Sequence, residues 1–448
     1  MNVSQSVLSA PEAERLATDL LSRLHAKEAI IFLGNGFSGK ADFANNEVRN
    51  VRGRADTGVS LSVSLDGHEA AGSTNDVSTE GLDKLVDEVE SLAKHHRETG
   101  SVGLLLGPAQ SFKDPPIYFE STLAAMLPQA QGDLIRSAAD LADTAGQIAA
   151  GGVHSTAACM FILSTAGLKG YTRSTFGEFS MTARTPSGTG SGWAWGGSED
   201  FSNVRVNEIA RRAIEVAKRS ENPVAIEPGR YTVIIEPEAV DELVGQIIIT
   251  GLRLQDADSG YSVFSNKGGG NKLGVKMTDE RVQLLYDPMD PLLPFSPLSM
   301  SGRILQRTHW IERGILTNLA CSPAYARILK REPLINPYFA RLEVTTPPQS
   351  LDEMVASTKR GVWVHRFGGV TTMDPYTLLL SGITRDGTFL IENGKVTKPI
   401  KNMRFSESPF FILNKLEAAG SPVRSSLDMV CPRLKVSDFE FTGLSDAI

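Results

Sequence analysis

The sequence is poor in cysteine and holds no long apolar run. Only Cys159, Cys321 and Cys431 occur in 448 residues, far apart and without a CxxC spacing. Three isolated thiols argue against a disulfide framework and fit a reducing compartment. No apolar stretch approaches the ~20 residues a membrane helix needs. The longest, 102–106 and 247–249, have the length of core pieces. The N-terminus also lacks the basic start and apolar core of a signal peptide. A cytoplasmic protein without membrane contact is expected.

A basic excess is missing as well. Lys and Arg number 45 against 52 Asp and Glu, a net charge of −7. Nucleic-acid affinity comes from neutralising phosphates, so nucleic acid is not an expected partner. Absent too is a G-x-S-x-G nucleophile elbow, and the glycine-rich runs 187–192 and 268–272 fit neither of the phosphate-cradling patterns GxGxxG and GxxxxGK[ST]. What is present is ordinary globular composition, 41% hydrophobic and 22% charged. That length and mix suit two packed domains.

Local patterns support an α+β chain. Ser9 and Glu12 fit a capping box ahead of Leu16, Leu20, Leu21 and Leu24 at helical spacing. Val59, Leu61, Val63 and Leu65 alternate with serines, a half-buried strand, and Asp66-Gly67 supplies a hairpin turn. Leu82, Leu85, Val86, Val89 and Leu92 form one face of a second helix. Further helices are expected over 123–127, 134–145 and 204–218, and strands over 153–164 and 180–184. Residues 187–198 read as a loop rich in Gly and Ser. Beyond a Pro-containing linker at 220–229, short strands predominate, and Asn393-Gly394 marks another hairpin. The expected organisation is a mixed α/β domain over 1–222. A predominantly antiparallel β domain with a few helices follows over 223–448.

Chemistry-bearing residues are scattered. In the run 68–73 (HEAAGS), His68 and Glu69 resemble half of a zinc motif, but Ser73 stands where a second His would be. On a hairpin strand His68 and Ser73 would face opposite ways, so a solvated hairpin tip is the better reading. Asp256, Asp258, Asp287 and Asp290 lie in loop-like stretches and suit turns. His309, His365 and Cys431 are soft ligands that could meet only through the fold. The glycines Gly188, Gly190 and Gly192, and Gly268, Gly269 and Gly270, could admit a close peptide backbone at a site's rim.

Several stretches, in order, resemble the TldD/PmbA proteins, the modulator of DNA gyrase family. They are 231–244 (YTVIIEPEAVDELV), 271–276 (NKLGVK), 285–288 (LYDP), 310–316 (WIERGIL) and 389–395 (FLIENGK). The resemblance implies a metallopeptidase fold and a role in proteolysis of unfolded peptides. It also implies two subunit types. One carries His-Glu-x-x-x-His on the helix opening the second domain, with a C-terminal Cys completing a zinc site. The other, PmbA- or TldE-like, lacks that motif. Here the matching helix, 238–249 (EAVDELVGQIII), holds no His, and 295–302 (FSPLSMSG) lacks an acidic run that the family places there. The expectation is therefore a non-catalytic TldE-like subunit with no cofactor of its own, zinc belonging to a TldD-like catalytic partner. Heterodimer and homodimer both remain open, as does an active enzyme whose displaced metal site uses His309, His365 or Cys431. A homodimeric peptide-binding or regulatory module is the third reading. The gyrase link in the family's name gains no support from the acidic balance.

Overall fold

The computed structural model describes residues 7–65, 68–95 and 110–445. The Asp66-Gly67 turn and the apolar run 102–106 lie outside them. The first half runs α1 (Ala10–Ser22), β1 (Glu28–Ala44), β2 (Glu47–Leu65), β3 (His68–Thr74), α2 (Thr79–His95), α3 (Glu120–Ala124), α4 (Pro128–Thr144), β4 (Ile148–Ser164), β5 (Lys169–Arg184), β6 (Ser191–Ser198) and α5 (Val206–Arg219). Its strands form an antiparallel sheet in the order β3-β2-β1-β4-β5-β6.

One face of this sheet carries its two larger apolar clusters. Strand side chains alternate between faces, and the odd positions of β1 face the helices. Ile31 and Leu33 lie under α1 and α2, and Ala41 and Phe43 lie under α4 and α5. Of these, Ile31, Leu33 and Phe43 each contribute roughly 1.5–3 kcal/mol by leaving water. The capping box of α1 forms as expected: Glu12 accepts from the Ser9 N–H at 2.8 Å and from its hydroxyl at 2.6 Å. In α2 the stripe is buried from Leu82 to Val89 and continues at Ala93, while Leu92 turns off that face and is 48% exposed.

The expected loop 187–198 needs correction. Only its first residues turn, and Ser191–Ser198 is strand β6, paired to β5 from Gly192↔Ala183 to Ser198↔Gly177. Glycines there serve close packing. A Cβ on Gly192 would stand 2.2 Å from the Ala213 carbonyl oxygen of α5, and one on Gly190 2.3 Å from that of Ala217.

The second half runs β7 (Gly229–Ile235), α6 (Pro237–Gln246), α7 (Leu254–Asp258), β8 (Val282–Tyr286), β9 (Thr308–Glu312), β10 (Ile315–Leu316), α8 (Pro323–Ile328), β11 (Ala340–Val344), α9 (Leu351–Ala356), β12 (Arg360–Asp374), β13 (Leu379–Glu392), β14 (Lys395–Pro399), β15 (Met403–Glu407), α10 (Pro409–Asn414), β16 (Leu416–Arg424) and β17 (Met429–Leu444). Among the described residues these strands make a mixed eleven-stranded sheet. Pairing runs β17-β15-β13-β12-β7 and returns from β7 to β17, so five strands close a ring. The β7–β12 and β11–β17 pairs are parallel. Val233, Ile235, Val364, Phe367, Phe405 and Phe439 belong to one core with Ala239, Val240, Leu243 and Val244 of α6. The Asn393-Gly394 turn forms with φ of 52° and 76°, the left-handed pair a two-residue hairpin demands.

The halves meet through α5. Its Ala210, Ala213 and Ala217 pack under the first sheet, while Val216 joins Trp363 and Phe389 of the second. A bidentate Arg424–Glu199 pair and a Ser191–Asp386 hydrogen bond at 2.6 Å cross the same seam. Gly192→Ala should lower stability by about 1–3 kcal/mol in chemical denaturation, because the new methyl must push α5 from β6. An unchanged midpoint would show that β6 and α5 are not held this closely.

Candidate functional site on helix α6

Helix α6 starts where β7 leaves the ring. Pro237 at its first turn has no N–H to leave unpaired and a φ already suited to the helix. Ala239, Val240, Leu243 and Val244 face the core. Positions three and four apart share a helix face, so Glu238, Asp241, Glu242 and Gly245 make a second stripe. The α-helix ends at Gln246 and gives way to a π-helical turn, Ile247–Gly251.

Each carboxylate of the stripe has its own neighbour. Glu238, almost wholly buried, meets Arg212 of α5 at 2.8 Å. Burial raises its pKa, and the charge of Glu236 adds to that against the pull of Arg212. Asp241 accepts from the Ser425 hydroxyl at 3.2 Å. Burial pushes it up to about 6, against hydrogen bonds from Ser426 and Ser425. Glu242 accepts from the Phe367 N–H at 2.7 Å and meets Arg366 at 3.4 Å. Burial still carries it up to about 7.

Cys431 of β17 comes to this helix. Its Sγ lies 3.1 Å from the Pro237 carbonyl oxygen and 3.3 Å from the Ser425 hydroxyl, which also serves Asp241. Burial and the nearby Asp241 hold the thiol well above its ordinary pKa. His365 of β12 lies beside the first turn of α6, lining a cleft with Glu236 and Glu238. Burial takes its ring down to about 4, so it is neutral near pH 7. His309 is elsewhere: it sits on β9, with β8 and β11 between that strand and β17. His68 and Ser73 lie on the edge strand β3, where His68 is the less exposed of the two. Gly190 and Gly192 abut α5, and Gly188 makes the turn before β6 with φ 72°. Gly268, Gly269 and Gly270 form an exposed turn with nothing within 4 Å of their Cβ positions. Asp256 and Asp258 lie in α7 rather than a loop, and Asp258 accepts from Tyr325 and Asn271.

Sequence reading overlooked one pattern on α6. Asp241, Glu242 and Gln246 repeat the i, i+1, i+5 spacing of His-Glu-x-x-x-His, with Asp and Gln in the two His positions. That spacing was the available signal. Zinc would require soft N or S donors and a deprotonated thiol. The residues present fit it poorly: α6 offers Asp241 and Gln246 in the two His positions, the Cys431 thiol donates to the Pro237 carbonyl, and Asp241, Glu242 and Glu238 each have an oxygen engaged by Ser425, Arg366 and Arg212. Among the described residues no group of three His, Cys, Asp or Glu side chains converges as a metal site would.

Residues 228–443 match the PmbA/TldA metallopeptidase C-terminal domain, 29–93 match its domain 1 and 121–221 its central domain. The chain belongs to the PmbA/TldD family. It is 25% identical over 248 residues to a metalloprotease of Methanothermobacter thermautotrophicus, and the match spans about half of each chain, 51%. Three crystal structures share the fold. A protein of Bacteroides thetaiotaomicron described as a putative modulator of DNA gyrase is 20% identical, with a TM-score of 0.82 over 96% of this chain and 98% of that one. A protein of Thermotoga maritima with the same description is 18% identical, with a TM-score of 0.83 over 96% and 100%. TldE of Thermococcus kodakarensis is 16% identical, with a TM-score of 0.81 over 96% and 99%. No helix among the described residues is long and apolar enough to cross a membrane.

The raised carboxylates set a pH dependence. With folded pKa values of about 6 and 7, above the ordinary 3.8 and 4.5, Asp241 and Glu242 bind more protons folded than unfolded. Their contribution is full below the unfolded values and is lost as pH rises through the folded ones. Asp241→Asn should therefore gain about 1–3 kcal/mol at pH 8 relative to its effect at pH 4. Urea titrations at both pH values check this, and an equal effect at both would contradict it.

Proposed function

We propose that this chain is a non-catalytic, TldE-like subunit of a cytoplasmic peptidase complex. It pairs with a TldD-like subunit that bears the metal, and it helps to hold an extended, unfolded peptide. Residues 1–222 and 223–448 act as its two domains. The observation carrying the reading is the substitution of Asp241 and Gln246 for the two histidines at the metal-binding spacing, beside a thiol kept protonated. Amide hydrolysis of the metallopeptidase kind needs a polarising ion to activate water and stabilise the oxyanion. The α6 stripe offers carboxylates already tied to Ser425, Arg366 and Arg212.

Peptide capture by strand addition suits such a subunit, since main-chain hydrogen bonds give affinity with little sequence preference. The exposed turn at Gly268, Gly269 and Gly270 is the better rim candidate of the two glycine clusters, because Gly190 and Gly192 are engaged with α5.

The test is reconstitution with a homologue carrying His-Glu-x-x-x-His. The mixture should cleave an unfolded peptide at least tenfold faster than the homologue alone, and this chain alone should not cleave it. Metal-dependent cleavage by this chain alone would overturn the proposal.

A further inference from the structure

Beside the first turn of α6 lies a cleft of about 550 Å³, walled by both halves of the chain. That volume is in the range of small-molecule sites. Its base holds two buried polar groups without partners. Both ring nitrogens of His365, 9% exposed, lack a hydrogen bond, as does Oε2 of Glu238, whose side chain is 10% exposed. Native interiors seldom leave such groups unmatched, and an absent ligand is one of the few reasons that they do.

The charges around them are unequally engaged. Arg433 is closed in a bidentate pair with Glu236, and Arg424 in one with Glu199. Arg219 has no carboxylate partner among the described residues; it lies over the rings of Trp363 and Phe389, 5.1 and 5.3 Å from their centroids. Arg212 is partly exposed and touches only one oxygen of Glu238. Arg212, Arg219 and His365 thus line one space, the two arginines exposed and the imidazole nitrogens closed off from solvent. The remaining walls are apolar, from Trp195, Trp363, Leu351 and Val423.

We propose that this cleft binds a small organic carboxylate with an apolar or aromatic body, its oxygens taken by Arg219 and Arg212 beside His365. Guanidinium groups match a planar carboxylate through paired N–H donors. Glu215 and Glu238 on the same wall disfavour a dianion, so a carboxylate is preferred over phosphate. The site is independent of any metal-bearing partner, because every group belongs to this chain.

Calorimetric titration of the full chain with N-acetylphenylalanine tests the proposal, with its neutral amide and inorganic phosphate as comparisons. The acid should bind at least tenfold more tightly than either and should change tryptophan fluorescence through Trp363. Arg219→Ala, at an exposed position, should weaken the acid at least tenfold, Arg219→Lys less so, and His365→Gln should also weaken it. Failure of the acid to bind at millimolar concentration would overturn the assignment. So would equal binding of acid and amide, phosphate binding as tightly as the acid, or an Arg219→Ala chain that binds unchanged.

Discussion

Three carboxyl groups on one stripe of a ten-residue helix, turned toward the protein interior, are the constraint around which the second half is arranged. Ionised acids cannot leave water unpaired without a cost of several kcal/mol each. The chain answers in two ways. It brings Arg212 from the first half and Arg366 and Ser425 from the second to meet them. It also lets burial raise their pKa values so that part of the charge is never carried. The same burial keeps Cys431 a thiol.

That arrangement depends on how α5 is held. Small residues let α5 lie against β6: Ala213 and Ala217 on the helix, Gly190 and Gly192 on the approach to and start of the strand. The adjacent face of the helix then carries Val216 into the second core and Arg212 onto Glu238. A thicker strand would displace both. The linkage runs from sheet packing in the first half to the electrostatics of α6 in the second, and the cleft at His365 lies in the seam between them.

Much of the fold was legible from residues. The Ser9–Glu12 box, the stripe of α2 and the Asn393-Gly394 turn are local devices whose physics is complete within a few residues, and each formed as read except that Leu92 falls outside the buried face of α2. The great length of β1 was not legible, because its middle (Gly34, Gly36, Ser38, Gly39) carries no apolar alternation; those residues are strand through pairing on both edges. Residues 191–198 looked like loop for a related reason: glycine is a turn signal until a helix packs on it. Long-range meetings were the hardest. Cys431 bonds to the carbonyl of Pro237 across 194 residues, and His365 reaches the same helix from another strand. Family resemblance led to α6, yet the Asp241, Glu242 and Gln246 spacing was in plain view and lacked only a reason to be measured against the metal motif.

The most direct measurement is an equilibrium zinc titration of the isolated chain near neutral pH against a chromogenic chelator, in wild type and Cys431→Ser. The account predicts that neither form competes with a chelator of micromolar affinity and that the two curves coincide. One zinc per chain bound at nanomolar affinity, and lost in Cys431→Ser, would contradict it.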